Sequence, residues 1–273
     1  MKYITHGYHS AKHYWMLELL LESFYQKNLQ DDLSVYLFHD AACLTPDTNI
    51  RRANFPNIKE LFSAGYSFKD RRLDSLYLLQ HLHKEKLLEY PTCVFDFSSV
   101  LYEPVNFPIE KDFIFSYGYG DNIENYPHVW DMHFSKVNVF PHVGNVFILN
   151  KPISDELLEY GIDLFLNTKQ VCEEKNLSCP LQLDKFCLGQ ILLMSEFSLS
   201  VKQNLVSDLG MDVGNFINYS YGLYPAFIPD QFNYVDGMSR SLFYPHPYDA
   251  ILDLPPTLPC NFMRNLVKSL RGN

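Results

Sequence analysis

The segment Thr92-Cys93-Val94-Phe95-Asp96 constrains the chain more than any other, because an apolar run of strand length ends abruptly on a carboxylate. A short apolar run bounded by turn signals is the pattern of a strand buried on both faces. A polar Ser98-Ser99 turn follows, and Val100-Leu101-Tyr102-Glu103-Pro104 then leads away through a proline. Strands buried on both faces belong to parallel sheets covered by helices, where ligands collect beyond the carboxyl ends of the strands. Asp96 is thereby predicted to stand where a cation, a metal-bound phosphate or a sugar hydroxyl would be held. The competing reading is a carboxylate that only caps its own turn.

The rest of the chain supplies the partners such a strand needs. Lys2 to Thr5 reads as a first strand, with a turn through His6-Gly7-Tyr8-His9-Ser10. A helix follows, with Tyr14, Leu17, Leu20, Leu21, Phe24 and Tyr25 as its apolar stripe and Glu18 and Glu22 on a more polar face. Ser34 to His39 is a second strand, and residues 41 to 66, punctuated by Pro46, Pro56 and Gly65, read as irregular. A long helix is predicted from about Lys69 to Tyr90, capped by Ser67 and with Leu73, Leu76, Tyr77, Leu79 and Leu87 on its apolar face. Further strands are expected at 113–117 and 143–149, with a long loop between them. Helices are expected at 155–168 and 184–193, and an amphipathic tail at 261–271. Alternation of strands and helices at this spacing predicts an α/β fold, a single domain over residues 1–273 with a mainly parallel central sheet flanked by helices.

Composition narrows the functions open to such a domain. The net charge of -10 argues against a nucleic-acid surface. No apolar run approaches the roughly 20 residues that span a bilayer, so no transmembrane segment is expected, and no signal peptide is visible. The six cysteines are scattered without a Cys-x-x-Cys pair. That argues against a zinc site built on cysteines and for a reduced, cytoplasmic protein. There is no glycine-rich phosphate loop of the Rossmann or P-loop type and no Gly-x-Ser-x-Gly elbow.

In chain order the informative residues are a first-strand end at Thr5-His6-Gly7, a basic stretch Lys69, Arg71, Arg72, and the strand end Asp96-Phe97-Ser98. His142-Val143-Gly144-Asn145-Val146-Phe147, Asp184-Lys185-Phe186, Phe232-Asn233 and His246 follow. This order resembles the GT-A glycosyltransferases, the nucleotide-sugar-dependent kind, from the first strand to about residue 250. The resemblance implies a GT-A-like domain that transfers a sugar from a nucleoside-diphosphate donor, with UDP the expected nucleotide, to a glycan or other hydroxyl acceptor in carbohydrate biosynthesis. It implies donor contacts from Thr5, His6, Gly7, Lys69, Arg72, Asp96, Ser98, Asn145 and His246. Catalytic roles fall to Asp96 and to Asp184, the latter as the carboxylate near the acceptor hydroxyl. An Asp184 that caps its helix is the structural alternative.

Sugar transfer from a nucleoside diphosphate leaves negative charge on the departing phosphate, which a divalent cation or basic side chains must stabilise. An Asp-x-Asp pair at a strand end directs both carboxylates to one face, where Mn or Mg suits oxygen ligands. Here Ser98 replaces the second carboxylate. Three readings follow. Asp96 and His246 hold a Mn-like or Mg ion with the diphosphate; or Lys69, Arg71 or Arg72 neutralise it without metal; or transfer is lost and the protein binds nucleotide sugars or glycans without acting on them. Two other clusters have metal-like composition: His6, His9 and His13, and His128, Asp131 and His133 in the loop. Tyr126, Trp130 and Phe134 in that loop are candidates to stack on an acceptor sugar or to pack on the core.

Overall fold

A computed structural model describes residues 1–8, 11–39, 57–62, 73–118, 122–208, 213–219, 233–235, 238–240 and 247–272. In chain order its elements are β1 (Lys2–Tyr8), α1 (Ala11–Tyr25), β2 (Leu33–His39), β3 (Ile58–Phe62), α2 (Asp74–Lys84), β4 (Thr92–Asp96), β5 (Ser99–Leu101), β6 (Phe113–Tyr117), α3 (Pro127–His133), β7 (Val143–Leu149), α4 (Asp155–Glu174) and α5 (Leu183–Met194). They continue with β8 (Leu199–Val201), β9 (Val206–Asp208), β10 (Phe216–Asn218), β11 (Asn233–Val235), β12 (Met238–Arg240), α6 (Pro247–Leu252) and α7 (Leu258–Arg271). The fold is α/β. A seven-stranded sheet runs β3-β2-β1-β4-β7-β6-β8, a three-stranded sheet runs β5-β10-β9, and β11 and β12 form a hairpin. In the large sheet β1 and β2, β2 and β3, and β6 and β8 pair parallel, while β6 and β7 pair antiparallel.

The strand order reverses at β1. The chain steps outward from β1 to β2 and β3, then returns to place β4 on the other side of β1. In open α/β sheets such a reversal opens a crevice beyond the carboxyl ends of the two central strands. The residues at those ends are Gly7 and Tyr8 on β1 and Asp96 on β4.

The chain divides into two compact units. The first comprises Met1–Gly65, Val94–Phe107 and Asn204–Asn273, and the second Tyr66–Cys93 and Pro108–Gln203. In the first, Val35, Tyr36, Leu37 and Phe38 of β2 are buried in succession, as an interior parallel strand requires. Leu17, Leu20, Leu21 and Phe24 of α1 are buried as expected, whereas Tyr25 at the helix end is 43% exposed. The polar face expected of α1 is also covered, because α7 packs on it. Glu22 is 3% exposed and accepts from Ser269 Oγ at 2.6 Å, and Glu18 accepts from the Tyr248 hydroxyl at 2.6 Å. Phe95 of β4 stacks on Phe24 with ring centroids 5.7 Å apart and lies 4.8 Å from Phe216 of β10, while Tyr3 meets Phe24 edge-on at 5.2 Å.

In the second unit α2 and α5 both pack against α4. Helix α2 ends at Lys84 rather than near Tyr90. Lys86 takes a positive φ of 54°, and Leu87 N–H donates back to Leu82 O at 2.8 Å, which closes the helix without a glycine. Leu87 therefore lies outside the apolar face and is 40% exposed. Helix α4 continues past Thr168 to Glu174 and ends by the same device at Asn176, with Leu177 N–H donating to Cys172 O. Its start is capped by Ser154 Oγ, which accepts from Leu157 N–H. Gly144 on β7 is required by the close approach of β6, since a Cβ there would lie 2.4 Å from Ser116 Oγ.

The aromatic cluster around Phe95 is predicted to be a principal source of stability in the first unit. Phe95→Ala should lower the unfolding free energy by about 3–5 kcal/mol. Urea titration measures this, and a loss below about 1 kcal/mol would show that the cluster collapses around the cavity and bears little load.

Candidate functional site

Asp96 is the last residue of β4 and is half-buried. Its Oδ1 accepts two hydrogen bonds from one residue, from Ser98 N–H at 2.9 Å and from Ser98 Oγ at 3.0 Å. This is an Asx turn, in which a short carboxylate side chain takes the place of a backbone acceptor. Oδ1 thus does what the capping reading asks. Oδ2 accepts no hydrogen bond from any described residue. One carboxylate oxygen closes the turn and the other is left to a further partner.

Ser98 is held on its other side. It is 5% exposed, and its Oγ accepts from Asn218 Nδ2 at 3.3 Å. The same amide donates to Ser99 Oγ at 3.3 Å, and Tyr219 N–H donates to Ser98 O at 3.2 Å. These bonds follow from the register of the small sheet, where β10 runs antiparallel to β5 with Asn218 opposite Ser99. The Tyr219 hydroxyl is buried with no hydrogen-bond partner among the described residues. Burial, and then the negative charge of Asp96, push its pKa well up, so it is a neutral phenol. Asn218 and Tyr219 escaped the sequence reading. Asn218 ends a three-residue strand about 120 residues downstream of Ser98 and Tyr219 follows it, and only the long-range pairing reveals them.

The expected donor residues on β1 lie in the same unit. Thr5 is fully buried, and its hydroxyl donates to Phe95 O at 2.9 Å, which fastens β1 to β4. Gly7 faces the ring of Phe97, and a Cβ there would lie 2.7 Å from it, so only glycine lets the Phe97 ring approach. His6, on the alternate face, meets the Phe38 ring edge-on at 5.8 Å. Lys69, Arg71, Arg72, His246 and Phe232 lie outside the described residues, as does His9, and nothing is described of the side chains of His13 and Asn233.

Asn145 and Asp184 belong to the second unit. Asn145 is half-buried in β7 beside Gly144. Asp184 sits in the first turn of α5. The N-cap position is Gln182, so Asp184 does not cap the helix. Its side chain is 12% exposed, with Oδ2 accepting from Ser75 Oγ at 3.1 Å and lying 3.6 Å from Lys185 Nζ. Burial pushes its pKa up, against the opposing pull of Lys185 and the Ser75 hydroxyl.

The loop residues are used elsewhere. His128 Nε2 lies 2.9 Å from Ser178 O, Asp131 pairs with Lys136, and Phe134 packs edge-on against Phe140. The Trp130 indole donates to Ser135 O. Among the described residues no group of three or more His, Cys, Asp and Glu is placed to hold a metal ion. No described helix is long and apolar enough to cross a membrane.

No protein-family model matches the sequence, and no curated protein does. Among solved structures the chain is similar to the galactosyltransferase LgtC, solved in complex with donor and acceptor sugar analogs. The likeness covers 80% of this chain and 87% of that one at 9% identity, with a TM-score of 0.47.

A pH dependence follows from Asp184. A carboxyl whose folded pKa lies above the unfolded value contributes most to stability below the unfolded value, and that contribution is lost as pH rises through the folded one. Removing the charge should therefore help more as pH rises. The unfolding free energy of Asp184→Asn relative to wild type is expected to shift in the variant's favour between about pH 4 and about pH 7. Urea titrations at the two pH values test this, and a difference that stays constant would place the raised pKa in doubt.

Proposed function

We propose that the protein is a glycosyltransferase that takes a sugar from a nucleoside-diphosphate donor, most simply a UDP-sugar, and transfers it to a hydroxyl acceptor on a carbohydrate. The observation that carries the reading is the position of Asp96. It ends β4 at the point where the strand order reverses, with one oxygen spent on the turn and the other unengaged by described residues. A carboxylate oxygen presented there suits a ribose or sugar hydroxyl, which donates to it, or a cation carried by the diphosphate. The order of Thr5-His6-Gly7, Asp96-Phe97-Ser98, Gly144-Asn145 and Asp184 along the chain supports the same reading.

The described residues do not by themselves make a Mn or Mg site. Mn and Mg take about six oxygen ligands, of which a protein commonly supplies one or two carboxylates while water and phosphate supply the rest. The described part of this strand end offers Asp96 Oδ2, since Oδ1 accepts twice from Ser98 and the Ser98 hydroxyl oxygen already accepts from Asn218. Asp96 Oδ2 would be the protein's ligand to a cation carried by the diphosphate, and such a cation would offset the charge on the departing phosphate. In the proposed reaction, Asp96 Oδ2 orients the donor through a hydroxyl, and Lys69 and Arg72, with His246, meet the charge on the departing diphosphate. Asp184 is proposed separately, from its place in the chain order alone, as the carboxylate that accepts the proton of an attacking hydroxyl. His6 and Gly7 are proposed to border the nucleotide at the end of β1, with Thr5 buried behind them.

Asp96→Asn tests the reading cleanly, since the amide oxygen still accepts from Ser98 while the free carboxylate oxygen is gone. Wild type is expected to show a raised melting temperature with UDP or a UDP-sugar from a nucleotide panel, in Mn or in EDTA. The gain is on the order of 2–3 kcal/mol at about 100 times Kd. Asp96→Asn should melt within a few degrees of wild type, lose that shift, and lose turnover by about 100-fold or more. No shift with any nucleotide in either buffer would overturn the proposal. Binding without transfer or hydrolysis across a broad acceptor screen would reduce it to a nucleotide-sugar-binding protein.

A further inference from the structure

The Asp96 turn is not held by its own residues alone. Ser98 Oγ donates its single proton to Asp96 Oδ1, so it meets Asn218 only as an acceptor. The Asn218 amide thereby selects the hydroxyl rotamer that points at Asp96. Asn218 is 2% exposed, donates at equal length to Ser98 and Ser99, and belongs to a strand whose next residue binds the Ser98 carbonyl. Nothing in strand pairing requires this side chain, because the β5–β10 ladder is made by backbone groups. A buried amide that donates to two serine hydroxyls beside a half-engaged carboxylate fixes where those hydroxyl protons point.

We infer that Asn218 is a positioning residue, which acts through the Ser98 hydroxyl to hold Asp96 with Oδ2 turned outward for the nucleotide-sugar donor. The inference rests on the donor-binding reading of Asp96 given above. It assigns a purpose to the serine that stands in place of a second carboxylate. Ser98 is a donor that orients Asp96, and its own setting is fixed from β10.

A double-mutant cycle with Ser98→Ala and Asn218→Asp tests this. Asn218→Asp keeps the shape of the side chain but replaces the amide donor with an acceptor, which draws the Ser98 proton away from Asp96. Affinity is measured by titration calorimetry with UDP-glucose, or with whichever nucleotide sugar of the panel shifts wild type most. Each single variant is expected to weaken binding by about 10-fold, the cost of losing a hydrogen bond to a charged group. The double variant should be no weaker than the weaker single one, because both changes act on one bond. A purely structural role, or simple repulsion between the new carboxylate and the diphosphate, persists without Ser98 and makes the losses multiply, which would overturn the inference. Full wild-type affinity in Asn218→Asp would also overturn it. If Asn218→Asp does not fold, Asn218→Ala takes its place in the cycle with the same expectation. Wild type that binds no nucleotide sugar removes the donor-binding reading and this inference together, whereas wild type that binds while the cycle is multiplicative removes only the inference.

Discussion

The candidate site depends first on the packing of Phe95. Its ring lies between Phe24 of α1 and Phe216 of β10, with Tyr3 of β1 closing the group against Phe24 and Phe216. Aromatic pairs at these separations add to the burial of their large apolar surfaces. The consequence is geometric. Successive side chains of a strand point to opposite faces, and a slip of one residue would exchange those faces. With Phe95 locked in the core, Asp96 must leave on the other side, at the carboxyl end of β4. The bond from Thr5 Oγ1 to Phe95 O fixes the same register from β1.

The two readings of Asp96 that the sequence left open are not exclusive, because a carboxylate has two oxygens. The turn uses Oδ1, and the geometry around Ser98 explains how one short side chain can do so twice, through its N–H and its hydroxyl. A second aspartate at position 98 would have had no proton to give and would repel Oδ1 at the same distance. The serine thus trades a metal ligand for control over one carboxylate.

Much of the sheet was legible because its strands are apolar on both faces: β1, β2, β4, β6 and β7 were all expected, and so were α1, α4 and α5. Strand β3 was not, since Ile58-Lys59-Glu60-Leu61-Phe62 follows Pro46 and Pro56 and carries two charges. Helix α3 was read as loop, because it is a single short stretch of histidine and aromatic residues entered through Pro127. Helix ends were misjudged where Lys86 and Asn176, rather than glycine, take the positive φ that stops them. Asp96 and Ser98 were visible as a strand end, but the partner that sets Ser98 was not. No local pattern announces a bond between residues 98 and 218. The small sheet that creates it is built from three-residue strands, too short to carry a periodic signal.

The segment after Asp96 is anchored at three successive points. Asn218 holds Ser98 and Ser99, and Ser23 Oγ of α1 accepts from Leu101 N–H at 3.0 Å while donating to Leu20 O. The Tyr3 hydroxyl accepts from Val105 N–H at 3.1 Å. These anchors come from β10, α1 and β1, elements already tied together by the rings around Phe95. The exit from β4 is therefore fastened to the same core that positions the strand itself. Binding groups mounted on such a support lose little conformational freedom when a ligand arrives, so more of the interaction appears as affinity. By this argument the unengaged oxygen of Asp96 is presented by a turn whose orientation the core has already set.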